Sequence, residues 1–117
     1  MTDLFKLGME LVKDIPSEEL HQKFFGISGV HARLVFGTRM EKGYTQQQLA
    51  DLAEVGVKTI HRIEGGSGGI TDKTLDKVFF VLGITHDDIG EAFKQTQDDE
   101  EEALKKNYIN PKKLVKA

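Results

Sequence analysis

The sequence has no cysteine and no apolar run approaching the roughly 20 residues that cross a bilayer. Without cysteine there is no disulfide, no thiolate zinc site and no cysteine nucleophile, so the fold must rest on packing alone, as suits a reducing compartment. Met1, Thr2, Asp3 and Leu4 do not make a basic region leading into an apolar stretch, and the expected location is the cytoplasm. His21, His31, His61 and His86 lack metal-ligand spacing, so no metal is expected. Phosphate-binding glycine motifs and serine-nucleophile motifs are absent, and the neighbouring carboxylates Asp87 and Asp88 suit a helix N-terminus better than acid/base chemistry. The reading is therefore a protein that is not an enzyme and carries no cofactor.

An excess of positive charge is also lacking: the formal net charge is -3 over 117 residues. That total argues against a uniformly basic nucleic-acid binder, but its distribution is uneven. Residues 1–30 carry about -2, residues 31–70 about +1, residues 71–104 about -7 and residues 105–117 about +5. Any contact with a polyanion must come from a local face, because the field of the whole molecule repels phosphate at long range.

What is present is helical periodicity. Leu4, Leu7, Leu11 and Ile15 predict a first helix over about residues 3–14, ended by Pro16. Ser17 with Glu18 and Glu19 opens a second, short helix that reaches a break at Gly26 to Gly29. A third helix is expected over about residues 31–42, with Val35 and Met40 inward and Gly43 ending it. Thr45, three residues before Gln48, reads as a capping box for a helix with Leu49, Leu52 and Ala53 inside. Val55 and Gly56 leave only a very short turn before Ile60 and Ile63 mark another helix, so these two helices must cross steeply.

The run from Gly65 to Gly69 breaks the helical pattern and reads as a flexible loop. It is either mobile filler or a backbone surface that approaches a phosphate. A helix then starts near Thr71 or Asp72, buries Leu75, Val78, Phe79 and Leu82, and stops at Gly83. Thr85 with Asp88 caps a last short helix bearing Ile89 and Phe93, after which the acidic run from Asp98 and the basic segment around Pro111 read as a solvated helix end and a frayed tail. The run Phe79, Phe80, Val81, Leu82 is the only one apolar enough to suggest a strand, and the fold class is read as all-α.

Function is sought on the second helix of the tight pair, about residues 57–64. At 100° per residue, turning Ile60 and Ile63 to the core points Lys58 and Arg62 outward with His61 beside them. Lys58 and Arg62 are four residues apart, on adjacent turns, and can enter a major groove together, where both side chains donate to guanine O6 and N7.

Here the residues resemble a known family, the lambda-repressor-like, Cro/C1-type (XRE) helix-turn-helix domains. The matching residues are Arg39, Gly43, Thr45, Gln46, Leu49, Ala50, Val55, Thr59, Ile60, Ile63, Glu64 and Gly66, and the resemblance spans about residues 31–93. It implies a five-helix core, with residues 1–30 as an N-terminal helical extension and residues 94–117 as a charged C-terminal tail. It implies that Val57, Lys58 and Arg62 face bases, that Gln46 lies against the DNA backbone and sometimes braces a recognition-helix side chain, and that Arg39 and Glu64 form a structural ion pair. Val57 donates no hydrogen bond but suits a thymine methyl, and His61 is a further candidate for DNA contact. The chain departs from the family at Gly56, where a serine or threonine cap is common, and in its glycine loop, which lacks the proline or basic residue often found there.

The resemblance implies a transcriptional regulator, read as a repressor that binds double-stranded DNA as a homodimer. One helix with three or four base contacts specifies too little sequence for a genome, and two half-sites multiply the discrimination. The dimer surface is left open between the last core helix and the N-terminal extension, whose Leu4, Phe5, Leu11 and Phe24 either pack on their own core or bind a second chain. The alternative is an antitoxin that binds a toxin protein through its extension or tail and regulates its own synthesis through the same motif. A third reading is a coactivator-like domain without DNA binding, suggested by the acidic residues 71–104.

Overall fold

A computed structural model describes residues 25–106. They form α1 (Ile27–Lys42), α2 (Gln46–Ala53), α3 (Val57–Glu64), α4 (Asp72–Leu82) and α5 (His86–Lys105), with no strand among the described residues. The fold is all-α, and the apolar run at Phe79 lies inside α4. The expected helices over residues 3–14 and 17–25, and the tail beyond Lys106, lie largely or wholly outside the described residues.

One cluster holds the five helices together. Val35 of α1, Leu49, Ala50 and Ala53 of α2, Ile60 and Ile63 of α3, and Val78, Phe79 and Leu82 of α4 are buried in mutual contact. Ile89 of α5 packs against its edge. At about 1.5–3 kcal/mol for each large aliphatic side chain removed from water, this cluster is the main support of a chain that has no covalent cross-link.

Stop signals at Gly43 and Gly83 act as their sequence suggests: both adopt left-handed backbone, with φ of 73° and 70°, and their N–H groups bond back to the last turn of α1 and α4. Other expectations need correcting. α1 begins at Ile27 after an N-cap at Gly26, so Gly29 is buried within the helix and does not break it. A mid-helix glycine costs about 1 kcal/mol against alanine, a deficit that burial of Val30, Ala32 and Val35 offsets.

Met40 and Leu52 point outward, 56% and 53% exposed. Each is next to a residue that takes the inward position, Arg39 and Ala53, and one step along a helix rotates a side chain by 100°.

α5 is the largest departure, with 20 residues where a short helix is expected. Glutamate and glutamine are good helix formers, and the acidic run simply continues the helix. Its buried line continues too, through Thr96 and Ala103. Arg33 Nη2 of α1 donates to Thr96 Oγ1 at 2.8 Å, and Thr96 Oγ1 donates to the Ala92 carbonyl at 2.8 Å. Burial lowers the Arg33 pKa, against the opposing field of Asp99. The second half of α5 is thus latched to α1 by polar contacts that a search for apolar periodicity misses.

Candidate nucleic-acid interface

The tight helix pair is built from its ends inward. Thr45 closes a full capping box: its Oγ1 accepts from the Gln48 N–H at 3.0 Å, and Gln48 Oε1 accepts from the Thr45 N–H at 2.8 Å. α2 ends at Glu54, whose left-handed φ of 57° turns the chain toward α3. Gly56 caps α3 without a side-chain hydrogen bond, and the first turn is closed by the Thr59 N–H donating to the Gly56 carbonyl at 3.0 Å. Ala50 is fully buried in the core cluster that α2 and α3 share, where a larger side chain would push the helices apart.

A polar knot fixes α3 from the other side. Arg39 Nε donates to Glu64 Oε2 at 2.7 Å and Arg39 Nη2 to Glu64 Oε1 at 3.0 Å, a two-pronged ion pair with both side chains less than a tenth exposed. Arg39 Nη1 donates to the Tyr44 carbonyl at 2.9 Å, and the guanidinium carbon sits 5.4 Å from the Phe36 ring centre. The hydrogen bonds to Glu64 raise the Arg39 pKa further above its ordinary value. Gln46 Nε2 also donates to Glu64 Oε1, at 3.0 Å. Three elements, α1, the start of α2 and the end of α3, therefore meet on one carboxylate. The Gln46 contact with Glu64 has no signature in spacing.

Outward from this frame, Lys58, His61 and Arg62 are all exposed, and none has a side-chain hydrogen bond or ion pair among the described residues. Val57 is half-buried against the core cluster, so only part of it faces out. Gln46 is half-buried beside the pair, and its amide nitrogen keeps one N–H beyond the bond to Glu64.

The glycine loop has a defined path. Gly66, Gly68 and Gly69 take φ values of 70°, 74° and 72°, which side chains rarely adopt. A Cβ at Gly68 would fall 2.8 Å from Ser28 Oγ, and one at Gly69 would fall 3.5 Å from Arg62 Nη2. The loop thus passes close to the start of α1 and to the Arg62 guanidinium. Among the described residues no cluster of three or more histidines and carboxylates could hold a metal, and no helix is long and apolar enough to cross a membrane.

Residues 38–89 match the family model for helix-turn-helix domains, which takes in the end of α1, all of α2 to α4 and the start of α5. That segment belongs to the Cro/C1-type (XRE) helix-turn-helix family, with the all-helical, lambda-repressor-like fold. The class is that of DNA-binding transcription regulators, a class that is typically not enzymatic. Comparison with curated proteins and with solved structures finds no match.

Proposed function

We propose that the chain is a sequence-specific regulator that reads duplex DNA through the exposed face of α3 and acts as a repressor and a homodimer. The observation that carries this reading is the contrast on one helix. Glu64, at its end, is tied to Arg39 and Gln46, while Lys58, His61 and Arg62 leave their donors unpaired on the outer surface. Donors without internal partners on a braced helix are ready to meet base edges at little cost in ordering.

In this reading Lys58 and Arg62 donate to guanine, the exposed part of Val57 rests on a thymine methyl, and His61 lies beside them. Gln46 uses its remaining N–H on a phosphate oxygen. Two copies place two such helices in successive major grooves about one helical turn apart.

The test is a competition titration at physiological salt between the duplex upstream of the chain's own coding sequence and a scrambled duplex of equal length. Specific recognition predicts a preference of at least about 10³, lost when one half-site is scrambled. Equal affinity for both duplexes contradicts sequence-specific reading, and an unchanged affinity for the half-scrambled duplex contradicts the dimer. A reporter placed behind the preferred duplex is expected to fall silent when the protein is supplied; increased transcription contradicts repression.

A further inference from the structure

Between the first turn of α1, the glycine loop and the start of α4 lies a pocket of about 190 Å³. Its apolar wall is Ile27, Ile63, Ile70 and Leu75. Three polar side chains share it, Ser28, His31 and Asp72, and none of them has a hydrogen bond or ion pair among the described residues. Polar groups without internal partners beside apolar side chains in a concave site are the general form of a small-molecule site. Apolar cavities of about 150 Å³ admit a benzene ring, so this one has room for a single ring or a branched hydrocarbon of similar size.

The charge of the pocket selects among such molecules. Asp72 is its only charged group at neutral pH: burial holds the His31 pKa below its ordinary 6.5, and the imidazole meets the Phe79 ring edge-on at 5.3 Å. A carboxylate ligand would be repelled, a neutral one tolerated and an ammonium attracted. We infer that this pocket binds a small monocyclic or branched alkyl amine, its hydrocarbon body against Ile63 and Leu75 and its ammonium at the Asp72 carboxylate.

The pocket's position gives that binding a consequence. Gly68 and Gly69 line it, and the Arg62 guanidinium stands beside the same loop, 3.5 Å from where a Gly69 Cβ would lie. Filling the pocket displaces or steadies the loop on which Arg62 rests. The functional meaning of that movement rests on the proposed reading role of Arg62; the binding itself does not.

The test uses the full chain without DNA, so that it stands or falls separately from that role. Benzylamine, benzyl alcohol and benzoate are titrated in turn and followed by ¹H–¹⁵N NMR. Benzylamine is expected to give saturable shifts at Ser28, Gly68, Gly69 and the Arg62 side-chain N–H. Benzyl alcohol should bind there about two- to fivefold more weakly, as an exposed ion pair allows, and benzoate more weakly still. Asp72→Asn should bring benzylamine down to the level of the alcohol, and Leu75→Phe, which fills the hollow, should remove the shifts. Asp72 is exposed, so its substitution tests the inference even if Leu75→Phe does not fold. Absence of saturable shifts, shifts that map elsewhere, tightest binding by benzoate, or an Asp72→Asn variant with unchanged benzylamine affinity would each overturn it.

Discussion

Glu64 accepts from Arg39 Nε, Arg39 Nη2 and Gln46 Nε2, so one carboxylate at the end of α3 holds two other helices in place. Glu64→Ala leaves the Arg39 charge buried without its partner and is expected to lower unfolding stability by about 3–5 kcal/mol, read by urea denaturation. The double variant with Arg39→Met should recover part of that loss, because the stranded charge has gone; no loss in the single variant refutes the structural role. The ion pair and a bracing role for Gln46 were legible from their family positions, whereas Glu64 as the partner of Gln46 was not, since two residues 18 apart reveal a contact only once both helices are placed. His31 gives a second prediction at this scale. Burial depresses its pKa, so the unfolded chain takes up the proton first; the stability it contributes is full above about 6.5 and falls as pH drops from there toward the folded value. Thermal melts between pH 7.5 and 5.0 should show this fall, and His31→Gln should flatten it. An identical slope in that variant would assign the pH dependence to other groups.

Helix boundaries depend on local chemistry, which is why those marked by caps were legible: Thr45, Thr71 and Thr85 all accept from the N–H three residues on. Boundaries were misread where tertiary contact outweighs a local signal. Gly29 reads as a breaker but is buried within α1, and the last helix reads as short but runs on through the acidic residues, latched by Arg33 and Thr96. The turn between α2 and α3 carries an internal cost of its own. Glu54 is the only described residue other than glycine with positive φ, and left-handed backbone costs a side-chain-bearing residue roughly 1 kcal/mol. Glu54→Gly is expected to raise stability by about 0.5–1 kcal/mol in chemical denaturation while leaving DNA affinity unchanged. A loss of stability would show that the glutamate side chain contributes more than its backbone costs.

The whole molecule is acidic, with a net charge of -3, and presents its unpaired cations of α3 on a small part of its surface. Composition alone points away from DNA, but the fold keeps Glu64 turned into the knot and Lys58 and Arg62 turned out. Such a molecule gains little from long-range attraction, so its selectivity must come from contact, and the contacts assigned to α3 are the central claim. They are tested most directly by measuring Kd for the preferred duplex, and for its single-base variants, with Lys58→Ala and Arg62→Ala. The expected result is a loss of about 1–3 kcal/mol for each substitution on the preferred duplex, with discrimination relaxed at one base position per half-site. If both variants keep the parent affinity and the parent preference at every position, α3 is not the reader and the account is contradicted.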